Sequence, residues 1–72
     1  MGKPDRRFLK IWRIQHRMLG KELATALGIS RVHYNQIELG NYNPSDELAS
    51  KIAKITGLDF ERIKLGDGKE GL

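Results

Sequence analysis

The sequence predicts an all-α fold, a compact five-helix bundle. Three observations carry that prediction. Apolar residues recur at intervals of three and four along most of the chain. Gly28, Gly40 and Gly57 each stand just beyond such a run, where a helix needs a terminator. No stretch alternates apolar with polar residues as a half-buried strand would. The chain has 72 residues and no cysteine, so no disulfide or thiolate metal site staples its core, which favours closely packed helices.

The elements follow in order. Asp5, after Pro4, is placed to cap a first helix whose apolar positions Phe8, Leu9, Trp12 and Leu19 share one face. Ile11, Ile14 and Met18 widen that stripe past about 200°, more than one surface helix buries, so part of it is expected to meet a second partner. A second helix runs from about Gly20 to Leu27 with Leu23, Ala24 and Leu27 inward. Gly28 ends it, and Ile29 supplies an apolar anchor beyond. Ser30 caps a third helix from Arg31 to about Leu39, ended by Gly40. Asn41-Tyr42-Asn43-Pro44 is a turn-rich loop. Ser45 caps a fourth helix with Asp46 and Glu47 in its first turn, where the helix dipole favours carboxylates. Leu48, Ile52 and Ile55 lie at i, i+4 and i+7 of that helix, and Gly57 closes it. Asp59 opens a short fifth helix carrying Phe60 and Ile63. The glycine-rich segment 66–72 reads as a flexible tail.

Charge is divided unevenly along the chain. Up to Gln36 there are eight basic and two acidic residues, a balance of +6; beyond it the balance is −2, and the formal net charge is +4. A segregated positive end suits a polyanion, because each phosphate it neutralises releases condensed counterions. A basic helix face that is merely solvated would leave the same pattern. Apolar stretches of two or three residues at most, such as Phe8-Leu9, are too short for a membrane span or a signal-peptide core. A soluble intracellular, cytoplasmic protein is therefore expected. His16 and His33 are too far apart for a zinc-binding pair of the HExxH kind, and no glycine-rich phosphate loop precedes a helix. No cofactor, metal site or catalytic residue is expected, and the chain does not read as an enzyme.

Positions 20–39 carry the most information. Gly28-Ile29-Ser30 is too short a link for two helices to run back antiparallel, so they must cross steeply. Ala24 is the small residue such a crossing demands. Ile29, Tyr34 and Ile37 fill the angle, and the amino-terminal end of the third helix is left free to enter a groove.

Leu23-Ala24, Leu27-Gly28-Ile29-Ser30-Arg31, Ile37-Glu38-x-Gly40 and Asn43-Pro44-Ser45 together resemble the helix-turn-helix domain of phage repressors and Cro proteins, a lambda-repressor-like DNA-binding domain. The resemblance covers about residues 8–64. It implies a helix-turn-helix DNA-binding domain over 8–65, which composition flanks with a basic amino-terminal arm over 1–7 and the flexible tail over 66–72. It also implies that Arg31 to Leu39 is a recognition helix lying in the major groove of double-stranded DNA. Family members read bases from the first, second and sixth positions of that helix, here Arg31, Val32 and Gln36. Arg31 is suited to guanine O6 and N7, Gln36 to adenine N6 and N7, and Val32 to a thymine methyl, with Val32 in the core and Gln36 merely solvated as the alternatives. Asn35 is a further base-contact candidate at the flank of the groove.

The resemblance implies phosphate contacts from the loop after the recognition helix, here Asn41, Tyr42 and Asn43; Arg17, Lys21 and Ser30 are further phosphate candidates, and His33 a candidate for a phosphate or a base edge. His33 is as well explained as an exposed bystander, and Tyr42 as a cover over the core. Arg13 and Glu38 match a structural ion pair between the first and third helices of the family. The chain departs from the family where Leu19 and Gly20 replace a Ser or Thr followed by Gln, the usual cap and phosphate clamp. The loop after Gly40 also lacks a Lys or Arg. Both departures shift phosphate binding toward Arg17 and Lys21, with the arm residues Lys3, Arg6 and Arg7. The function implied is a sequence-specific transcriptional regulator, a repressor acting as a homodimer, with the fifth helix and Ile63-Lys64-Leu65 as the dimer surface. A DNA-binding antitoxin, a restriction–modification controller and a protein-interaction module that uses the same fold are the alternatives.

Overall fold

The computed structural model describes residues 5–66 and contains five helices. These are α1 (Arg7–Gln15), α2 (Gly20–Leu27), α3 (Arg31–Leu39), α4 (Asp46–Thr56) and α5 (Phe60–Leu65). No strand occurs among the described residues. Lys3 and most of the expected tail, residues 67–72, lie outside them.

Side-chain caps set the starts of α3, α4 and α5. Ser30 Oγ accepts from the His33 amide at 3.0 Å, Ser45 Oγ from Leu48 at 3.1 Å, and Asp59 Oδ2 from Arg62 at 3.0 Å. Each bond satisfies an amide that has no partner within its own helix. Gly28 turns the chain between α2 and α3 at φ 77°, a left-handed conformation open to glycine without penalty, and the Ile29 amide closes the turn onto the Ala24 carbonyl at 3.0 Å. Ala24, the small residue expected where α2 and α3 meet, is buried, and the two helices pack against each other.

The core is formed by Leu9 from α1, Leu23, Ala24 and Leu27 from α2, Tyr34 and Ile37 from α3, Ala49 and Ile52 from α4 and Ile63 from α5, with Phe8 and Leu48 at its edge. Met18, Ile29, Ala53, Leu58 and Phe60 pack against it. Burying a side chain of the Leu or Ile kind stabilises the fold by roughly 1.5–3 kcal/mol. Tyr34 and Ile37 thus hold the inner side of α3 rigidly against the bundle.

Around α1 the structure differs from expectation in three ways. Asp5 is not the cap: Arg6 holds that position, while Asp5 Oδ1 lies 3.4 Å from the Arg7 amide. The helix stops at Gln15 and the chain reverses through Arg17 at φ 56°, so Leu19 leaves the apolar face and is exposed. The third difference is Arg6, expected in a solvated arm. It is fully buried. Its Nε donates to the Ile63 carbonyl at 2.6 Å, its Nη1 to Ile37 at 3.1 Å, and its Nη2 to Lys64 at 2.8 Å and to Asn43 Oδ1 at 2.9 Å. The Arg6 amide also bonds the Glu38 carbonyl at 2.9 Å. Burial pushes the guanidinium below its ordinary pKa, and this ring of carbonyl acceptors offsets the desolvation. Arg6 therefore ties the start of α1 to the ends of α3 and α5. It does not reach out for phosphate.

Candidate nucleic-acid interface

With Tyr34 and Ile37 turned inward, helical spacing sets out the rest of α3. Val32 and Leu39 lie opposite the core, Asn35 and Gln36 beside them, and Arg31 and His33 on the two flanks. Val32 is 64% exposed and Leu39 58%, and both Arg31 and Asn35 are exposed. No other described element covers this face. Arg31, Val32, Asn35 and Gln36 therefore lie together on the outer side of α3. Leu39 is an addition that sequence reasoning passed over, although its spacing of seven from Val32 was a sufficient signal.

Arg31 also borders a hollow of about 260 Å³ between the start of α2 and α3, lined by Arg13, Leu19, Gly20, Lys21 and Asn35 as well. A Cβ added at Gly20 would meet Asn35 Oδ1 at 3.5 Å and Arg13 and Tyr34 at 3.8 Å, ordinary van der Waals contacts, so the position that carries a clamp side chain in the family would admit a Cβ without being empty space. Lys21 and Arg17 are exposed near the same end of α2. Leu19 has no side-chain acceptor, so α2 keeps one half of a capping box: Glu22 Oε1 accepts from the Leu19 amide at 2.7 Å.

The predicted Arg13–Glu38 pair is present and forms part of a larger arrangement. Arg13 Nε meets Glu38 Oε2 at 2.9 Å and Nη2 meets Oε1 at 3.3 Å, a two-pronged contact. Nη1 donates to the Met18 carbonyl at 3.1 Å, pinning the α1–α2 turn. Tyr34 Oη donates to Glu38 Oε2 at 2.6 Å, a partner that the i, i+4 spacing on α3 places within reach and that the sequence reading passed over. The bond with Glu38 raises the Arg13 pKa. Burial, followed by the neighbouring carboxylate, pushes the Tyr34 phenol well above its ordinary value.

The loop candidates divide. Ser30 spends its oxygen as a cap but keeps its hydroxyl proton. His33 faces away from the open side of α3 and is partly buried. It lines a hollow with Ile29, Ser45 and Leu48, and its ring meets Tyr42 edge-on at 4.8 Å. Tyr42 is exposed, so it does not cover the core. Asn41 Nδ2 donates to Gln36 Oε1 at 2.9 Å, and Asn43 accepts from Arg6. Ile63, expected at a dimer surface, is in the core, whereas Leu65 and Ile55 are exposed. Among the described residues no group of acidic, histidine or cysteine side chains is placed to hold a metal ion, and no helix is long and apolar enough to cross a membrane.

Comparison with known proteins agrees with this geometry. A helix-turn-helix family model matches residues 9–63. An uncharacterized HTH-type transcriptional regulator of Methanocaldococcus jannaschii is 42% identical over 86% of this chain and 94% of its own length. The ImmF control region 10 kDa protein of a Bacillus phage is 36% identical over 89% of this chain and 71% of its own. An uncharacterized HTH-type transcriptional regulator of Archaeoglobus fulgidus is 37% identical over 86% and 87%. No solved structure is a significant match.

Proposed function

The chain belongs to the phage-repressor and Cro type of helix-turn-helix proteins, a family of DNA-binding transcriptional regulators, and from that premise we propose that it is a homodimeric repressor reading an operator-like site in the cytoplasm. The observation that carries this reading is the uncovered outer face of α3. Its amino-terminal half presents Arg31, Val32, Asn35 and Gln36, while Tyr34 and Ile37 fix the helix from behind. In this reading Arg31, Val32 and Gln36 meet base edges, with Asn35 beside them. Lys21, Arg17, Ser30 and the loop 41–43 face phosphates. The partial burial of His33 against Tyr42 supports a packing role for that ring.

Selection of bound duplexes from a random pool, at low and at physiological salt, tests the proposal. The expected result is an enriched two-fold-symmetric sequence that persists at the higher salt, with half-sites about 34 Å apart. Unselective binding that vanishes with added salt would refute it. One observation favours a second reading: Ile11 and Ile14 are 50% and 60% exposed on the outer side of α1. A protein-interaction module would use that face, and unselective binding would put it first.

A further inference from the structure

We propose that Asn41 is a positioning residue that decides which base edge Gln36 reads. The inference rests on the reading of Gln36 as a base contact. Asn41 lies just past the end of α3, and two bonds hold it to the same residue. Its backbone amide donates to the Gln36 carbonyl at 2.9 Å, which places the residue beside the last turn. Its side-chain Nδ2 then donates to Gln36 Oε1 at 2.9 Å. The Gln36 head is thus held by a partner built into the protein.

The consequence is chemical. A glutamine reads adenine by donating to N7 while accepting from the N6 amino group. With Oε1 engaged by Asn41, the Gln36 amide keeps its two N–H groups to offer outward. Oε1 keeps a second lone pair, but it lies beside Asn41, so the head favours edges that present acceptors, guanine N7 and O6 or thymine O4, over adenine, which needs that oxygen as well. Asn41 thereby shifts the preference expected from Gln36 alone. It does so from a loop position whose exposed side chain reaches DNA chemistry through its neighbour.

The test is the base-preference profile of four proteins selected from the same random duplex pool: the full chain and its Gln36→Ala, Asn41→Ala and Asn41→Asp variants. Gln36→Ala should flatten one position of the profile. Asn41→Asp leaves only acceptors at 41, so Gln36 must turn its N–H groups inward and present Oε1. The preferred base pair at that position should change, by roughly tenfold in relative enrichment, toward one offering an amino donor. Asn41→Ala releases the head and should favour adenine there. Because the Asn41 side chain is exposed, both variants are expected to fold, and their helical content and melting temperature report whether they do. If Gln36→Ala flattens a position whose relative base preference both Asn41 variants leave as in the parent, whatever their overall affinity, the inference is overturned and the Gln36 reading stands. If Gln36→Ala flattens no position, both fall.

Discussion

Tyr34 carries the junction of α1 and α3 into the pH range where tyrosines ionise. Its phenol is buried and donates to Glu38, so its proton is held well beyond the pH of about 10 at which an unfolded tyrosine gives it up. Below that pH both states keep the proton, and the contribution to stability is fully present. Above it the unfolded chain releases a proton that the folded chain retains, so stability falls as pH rises, by up to about 1.4 kcal/mol per pH unit. Tyr34→Phe should cost about 1–2 kcal/mol at pH 7 by removing a bond to a charged acceptor, and should lose most of this alkaline dependence. Urea unfolding at neutral and alkaline pH measures both effects; an unchanged alkaline slope in the variant would disprove the assignment. At the DNA face the residue-scale contrast is between Arg31 and Lys21. Arg31→Ala should relax the preference at one base position by about 1–3 kcal/mol, whereas Lys21→Ala should weaken all sequences similarly. Quantitative binding to a specific and a scrambled duplex separates them, and equal effects of the two changes would refute the role of Arg31.

At the scale of elements, α2 and α3 fell where their punctuation placed them, because Ser30 and Gly28 act locally: a hydroxyl on a free amide, a glycine at positive φ. The end of α1 carried no such mark. Arg17 takes the left-handed position at φ 56° without being glycine, so the apolar pattern running on to Leu19 read as more helix. Arg6 was hidden for a related reason. An arginine near a basic terminus reads as solvated, and only the convergence of carbonyls from Ile37, Ile63 and Lys64 makes its burial tolerable. That convergence belongs to the tertiary fold. The Arg13–Glu38 pair was readable through a family pattern, and the bond of Glu38 to Tyr34 through their i, i+4 spacing on α3, a signal the sequence reading left unused. The strain at Arg17 leads to a prediction with two signs. Arg17→Gly should raise stability by about 0.5–1 kcal/mol, since a left-handed residue with a Cβ is penalised and glycine is not, partly offset by the greater freedom of the unfolded chain. The same change removes an exposed cation near α2 and should lower affinity for all duplexes. Thermal unfolding and salt titration of binding check the two halves, and a variant with unaltered DNA affinity would remove Arg17 from the phosphate contacts.

For the whole molecule, the proposed DNA reading poses the question of how so few base contacts would yield a usable site. Three or four side chains from one helix, at about 1–3 kcal/mol for a good bidentate contact, discriminate poorly against the many competing sequences of a genome. Two copies at a fixed spacing double the contacts and add the requirement of spacing itself. The surface available for pairing includes Leu65, 64% exposed at the end of α5, and the exposed Ile55 on the neighbouring helix α4. Ile63 is spent on the core. Leu65→Glu puts a charge into that surface, far in sequence from the recognition helix. It should reduce binding to a duplex with two half-sites by tenfold or more, while leaving binding to one half-site within about twofold, since a charge buried at an interface without a partner is strongly unfavourable. Titrations on the two duplexes, with sedimentation to count protein copies on each, make the comparison. Equal losses on both would mean that Leu65 acts through the fold of the monomer. No loss on either would move the pairing surface elsewhere, and the exposed Ile11 and Ile14 of α1 would be the next apolar pair to substitute.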